Sequence, residues 1–218
     1  MFEKLNSYVK ECKPQIRESL SDFFDSKIAY FNTLNEKSSY IELLNNLKDI
    51  TYDSGKMFRP LIALCFFQML SEKDPDVEEI KAISTLELIH KFLLIHDDIA
   101  DNDKQRYSKL NLYGTYENKA KENFSVSDAI CDRYGLSVSM IAGDLNHDFV
   151  YEILNKCRIK QEIKDALVVE IQRIISLASF GWKEEYDFTY IKLNEVSEEE
   201  LLNNLEFITS AYTTEGPA

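Results

Sequence analysis

Apolar residues recur at helical spacing along almost the whole chain, and little interrupts them. Only six glycines and four prolines punctuate the 218 residues, and strict apolar–polar alternation is absent. This pattern predicts an all-α fold whose helices bury one another. In SSYIELLNNLKDI, Leu43, Leu47 and Ile50 form a stripe with Leu44 beside it. FRPLIALCFFQML carries Pro60 near its start, where a first helical turn tolerates proline. DVEEIKAISTLELIHKFLLIHDD opens on Asp76 with Glu79 three residues later, and SEEELLNNLEFITSAYTT opens on Ser197 with Glu200; both read as capping boxes. Between these lie SVSDAICDRYGLSVSMIAGDLNHDFVYEIL, helical around Gly135 and Gly143, and IKDALVVEIQRIISLASFGWKEEY. The polar, poorly periodic stretch from about Tyr107 to Ser125 reads as a loop, and residues 183–196 as a second connection. With no repeat or low-complexity tract, residues 1–218 read as one domain.

Composition excludes several functions. The formal net charge is −13, which opposes a nucleic-acid footprint or a basic membrane anchor. No apolar stretch reaches the ~20 residues of a membrane span. The N-terminal MFEKLNSYVKEC lacks the apolar core of a signal peptide, and Cys12, Cys65, Cys131 and Cys157 form no C-x-x-C pair. Free thiols in a reducing cytoplasm are the expectation. Three histidines give little support to a histidine-rich metal site.

LIHDDIADND then poses a problem. A long apolar run ends in Asp97, Asp98, Asp101 and Asp103. Asp97 and Asp101 stand on one helical face a turn apart, with Asp98 flanking them. Carboxylates at a helix C-terminus oppose the macrodipole and repel one another, so a cation should offset them. An all-oxygen ligand set suits a hard ion such as Mg²⁺, shared with a substrate phosphate. A frayed, solvated helix end is the plain alternative, but LELIHKFLLI must be largely buried, which sets the acids at the mouth of a core. A diphosphate held there also needs cations. GKMFRP supplies Lys56 and Arg59 at a loop-to-helix junction, where backbone N–H groups favour anions. Arg106 follows the aspartates and can reach back.

These residues resemble the trans-polyprenyl (isoprenyl) diphosphate synthase family. GKMFRP resembles its GK-x-x-RP motif, and ELIHKFLLIHDDIADND the helix bearing its first aspartate-rich motif. RYGLSVSMIAGDL resembles its tyrosine–glycine and AGD stretch, and ITSAYTTEGP its KTA-x-Y-T-x-x-GP segment. The resemblance runs in family order over roughly residues 40–218. It implies an isoprenoid-synthase-type helical bundle around a deep central cavity. The implied reaction is condensation of isopentenyl diphosphate with an allylic diphosphate to a short-chain (C15–C20) product, as in farnesyl and geranylgeranyl diphosphate synthases. On that resemblance Asp97, Asp98 and Asp101 form the catalytic metal site for Mg²⁺, with Asp97 and Asp101 the direct ligands. Arg106 holds the allylic diphosphate, and Lys56, Arg59 and His90 hold the isopentenyl diphosphate. Phe92, five residues before Asp97, sets product length from the cavity floor. A homodimer or heteromer is implied as well.

The chain departs from the family pattern at Met57, Tyr107, Trp182 and Ile208. The family's second aspartate-rich motif lies beyond the KTA segment, so the chain reads as C-terminally incomplete, the first two-thirds of the fold. A non-catalytic partner subunit or an inactive fragment is therefore the alternative function. An all-α His-Asp phosphohydrolase built on His96-Asp97 is a third; His90 lies about 120° round the helix from His96, so those two histidines do not share a metal. His96 reads as a helix-packing residue, and Glu184, Glu185 and Asp187 as a solvated helix end, with approach to the metal site as the alternative.

Overall fold

A computed structural model describes residues 2–34, 38–52, 55–106, 108–191 and 195–218, leaving aside the side chains of residues 2–6 and 38. It is all-α apart from one two-stranded hairpin. In chain order the helices are α1 (Phe2–Thr33), α2 (Ser38–Tyr52), α3 (Phe58–Ser71) and α4 (Val77–Ala100). After the antiparallel hairpin β1 (Gln105–Arg106) and β2 (Lys109–Leu110) come α5 (Leu112–Asn123), α6 (Asp128–Lys156), α7 (Gln161–Tyr190) and α8 (Glu198–Leu205). The last continues into a π-helical segment, Glu206–Glu215. Among the described residues no helix is long and apolar enough to cross a membrane.

Helix α4 is the axis of the molecule. It packs on α6 most extensively and also on α1 and α3. Its start is fixed by the expected capping box: Asp76 accepts from the Glu78 and Glu79 amides, and Glu79 accepts from the Asp76 amide. Leu88, Ile89, Leu93 and Ile95 are buried along it and join Ile16, Leu20 and Phe24 of α1 in one apolar core. Phe23, Phe24 and Phe149 meet edge to face where α1 crosses α6. In α2 the deepest face is Leu44, Leu47 and Thr51, one step round from the predicted stripe of Leu43, Leu47 and Ile50.

Two expected connections are not loops. The stretch 107–125 contains β2 and α5. Asn111 caps α5 by accepting from the Gly114 amide, and Leu112, Tyr113, Tyr116 and Ala120 form a buried helical stripe. Its signal was diluted because the same face carries Glu117, buried but ion-paired to Lys104 and Lys121. Tyr107 itself lies outside the described residues. A Cβ at Gly135 of α6 would come within 2.7 Å of the Tyr113 carbonyl oxygen, so that glycine permits the close approach of α5 to α6. The second connection is shorter than expected because α7 runs on to Tyr190.

Helix α7 packs mainly on the π-helical segment and only lightly on α6. The segment's wide turn is closed by the Gly216 amide bonding to the Ala211 carbonyl at 2.8 Å, an i→i−5 bond. Such turns are rare and concentrate at functional sites. This one presents Tyr212 and Thr213 to α3 and α4.

Candidate functional site

The acidic end of α4 folds back on a cation. Arg106, carried by β1, donates from Nε to Asp98 Oδ1 at 2.9 Å and from Nη2 to the same oxygen at 2.6 Å. Its Nη2 also reaches Asp97 Oδ2 at 3.0 Å. Asp98 is buried, and burial raises its carboxyl pKa even against Arg106. Asp97 is raised in the same way, with Asp101 adding like-charge repulsion. Asp101 caps the helix, its amide bonding to the Asp97 carbonyl at 2.9 Å, and its side chain is exposed. Asp98 therefore ties the hairpin to α4, Asp97 shares the same guanidinium, and Asp101 stays on the open side.

Helix α7 closes on that open side. The Tyr186 hydroxyl approaches Asp101 Oδ1 at 3.4 Å. Burial raises the Glu185 carboxyl, and Asp101 and Asp97 raise it further by repulsion. Glu185 thus faces the aspartates, the alternative that the sequence reading set below a solvated helix end. Among the described residues no group of three or more His, Cys, Asp or Glu is drawn together tightly enough to hold a metal, because Arg106 occupies the inner carboxylates. The donors that remain are oxygens only, the chemistry a hard cation requires, and their mutual repulsion calls for one.

The second set of residues lies a few turns back along α4. Arg59, in the first turn of α3, is buried enough to lower its pKa; its Nη2 donates to Thr213 Oγ1 at 2.8 Å, and its guanidinium sits 4.3 Å from the Tyr212 ring centroid. The His90 ring lies 6.5 Å from that of Tyr212. Burial, with the charges of Arg59, Lys91 and Arg106 around it, lowers the His90 pKa to about 2, so the imidazole is neutral. Arg59 Nε and His90 Nδ1 are both buried without a hydrogen-bond partner. Unpaired buried polar atoms are uncommon, and these two belong to groups that both lie against Tyr212. Lys56 stands exposed in the turn before α3; Met57, which starts that helix, takes a left-handed φ of 51° and is buried.

Sequence reasoning missed two members of this wall. Lys91 is largely buried, 3.7 Å from the carboxylate of the buried Glu87, and burial lowers its pKa. Tyr212 lay inside a quoted motif without a role. Phe92 faces α6, its ring centroid 4.9 Å from that of His96 and 4.8 Å from that of His147. His96 Nε2 lies 3.4 Å from Asp144, beside Gly143, where a Cβ would come within 2.4 Å of the imidazole. His96 is thus a packing residue, and it does not join Asp97 in a metal-binding pair.

A family model for polyprenyl synthetase matches residues 41–214. The chain belongs to the polyprenyl synthetase family. Among curated relatives of this chain, a short chain isoprenyl diphosphate synthase of Methanocaldococcus jannaschii is 27% identical over 62% of this chain and 36% of its own length. A protein of the same description from Methanothermobacter thermautotrophicus is 24% identical over 87% of this chain and 49% of its own. The fold matches the geranylgeranyl pyrophosphate synthase of Corynebacterium glutamicum, solved with isoprenyl diphosphate and magnesium, with a TM-score of 0.83 at 22% identity, covering 98% of this chain and 58% of that one. The chain spans half or less of the length of these curated relatives. Membership also disposes of the His-Asp phosphohydrolase alternative.

Proposed function

We propose that this polyprenyl synthetase chain carries the substrate-binding half-site of a prenyltransferase that condenses isopentenyl diphosphate with an allylic diphosphate to a short-chain, C15–C20, prenyl diphosphate. The observation that carries this reading is the paired unsatisfied nitrogens of Arg59 and His90, a few turns along α4 from an acid cluster already holding Arg106. Arg59, His90 and the exposed Lys56 bind the isopentenyl diphosphate, His90 donating as a neutral imidazole. Arg106 binds the allylic diphosphate, which requires it to leave Asp97 as substrate arrives. Asp97 and Asp101 are the Mg²⁺ ligands on the open side, with Glu185 opposite and Asp98 holding the hairpin in place. Bound there, Mg²⁺ neutralises charge developing on the departing pyrophosphate.

In the reaction the allylic C–O bond breaks and its electron pair leaves with pyrophosphate. The isopentenyl double bond forms the new C–C bond to the allylic carbon, and a proton is lost. Preorganised cations at the departing oxygens act on the transition state. The free thiols of the four cysteines support a cytoplasmic setting, and assembly with a second copy or a related subunit completes the reading.

Calorimetric titration with isopentenyl diphosphate tests the assignment. Arg59→Gln and His90→Ala should each weaken binding by about tenfold or more, the loss of one charged or buried hydrogen bond. Unchanged affinity in both would remove this wall from substrate binding.

A further inference from the structure

A separate groove lies elsewhere in the molecule. An open groove of about 640 Å³ runs along the outer face of α1 beside the end of α2, and none of Asp97, Asp101, Arg59 or His90 lines it. Lys10, Lys13 and Arg17 line it at helical spacings of three and four, one face of α1. In a chain of net charge −13 whose lysines are widely ion-paired, no ion pair joins these three cations to a carboxylate among the described residues. Lys13 donates to the Gly55 carbonyl at 2.6 Å. Arg17 has a buried Nε without a partner, and its guanidinium lies 5.1 Å from the Tyr52 ring centroid. Burial and the neighbouring Arg17 push the Lys13 ammonium below the usual lysine range, against a partial pull from Glu87. Three cations are thus concentrated on one face of α1.

We propose that this groove is a binding site for a small organic phosphate, separate from the isopentenyl diphosphate wall. Three cations spread over about 10 Å of helix match a phosphate or diphosphate group rather than a lone carboxylate. Arg17, held beside Tyr52, can pair its terminal nitrogens with phosphate oxygens. Val9, Pro14 and the exposed Tyr52 ring form an apolar wall for the organic part. Glu18 and Asp22 also line the groove on α1, and their charge rejects a polyanion that would run on along the helix, so a nucleic acid does not fit. The Lys13 bond to Gly55 adjoins the turn bearing Lys56.

The test uses the 218-residue chain carrying Lys56→Gln, Arg59→Gln and Arg106→Gln, which removes the cations assigned to the two diphosphates. Calorimetry with inorganic phosphate and with phenyl phosphate should show one site, phenyl phosphate binding several-fold more tightly, and the Arg17 Nε–H resonance should move on titration. Adding Lys13→Gln and Arg17→Gln should weaken phenyl phosphate by at least about tenfold. Lys10→Gln, a change at an exposed side chain, should weaken it by a smaller factor without altering the melting temperature. Equal affinity with and without the Lys13 and Arg17 substitutions, a static Arg17 resonance, or tighter binding of a short RNA than of phenyl phosphate would each overturn the proposal.

Discussion

The Arg59 guanidinium rests on the face of Tyr212, 4.3 Å from its ring centroid, although 152 residues lie between them in the chain. The contact joins the first turn of α3 to the π-helical segment and leaves Arg59 Nε unpaired. Tyr212→Leu should destabilise the fold by about 0.5–2 kcal/mol, the worth of a cation–π pair that is partly desolvated. It should also weaken isopentenyl diphosphate, because the guanidinium loses the surface that orients it. Thermal unfolding and calorimetry on one preparation check both; unchanged values would mean that Thr213 alone positions Arg59.

The aspartates should separate by role. Asp98→Ala leaves Arg106 short of two hydrogen bonds and should cost about 1–3 kcal/mol of stability. Asp101→Asn, at an exposed carboxylate, should leave unfolding nearly unchanged yet weaken Mg²⁺ by about tenfold or more when titrated with inorganic pyrophosphate present. Urea unfolding and metal titration of the two variants should therefore give opposite profiles. Similar profiles would refute the division between a tethering and a metal-binding carboxylate.

His90 makes stability depend on pH with a definite sign. Its folded pKa is depressed to about 2 from 6.5, so between those values the unfolded chain binds more protons than the folded one. Stability is complete above about 6.5 and declines as pH falls below it. His96 and His147 are also depressed by burial and act in the same direction. The urea midpoint should therefore drop between pH 7 and pH 5, and His90→Asn should lessen that drop. A variant as acid-sensitive as the parent would show that His90 is not the buried neutral group described.

Phe92 packs against the apolar core and also meets the imidazoles of His96 and His147. Removing its ring opens space onto His147, whose Nε2 lies 3.3 Å from the Tyr151 hydroxyl. Phe92→Ala should therefore lengthen the prenyl product only modestly, since a hydrocarbon tail meets polar groups there. Phe92→Ala with His147→Ala should lengthen it further. Chromatography of the dephosphorylated products distinguishes the two, and an unchanged distribution in the double variant would exclude this face as the floor.

Much of the architecture follows from local chemistry. The capping boxes at Asp76 and Ser197 and the apolar stripe of α4 are short-range patterns, and the structure keeps all of them. The acid cluster is legible for the same reason: Asp97 and Asp101 need only helical periodicity to share a face. Helix α5 was not legible, because burial of Glu117 depends on Lys104 reaching it from outside the helix. Nor could spacing alone set Arg106 on Asp98, Tyr212 under Arg59 or Glu185 opposite Asp101, since each pairing joins different elements and is fixed by how the helices cross. Sequence determined which residues could carry charge at the end of a buried helix. Tertiary packing decided which of those charges are neutralised within the chain and which are left, unpaired and desolvated, for a ligand.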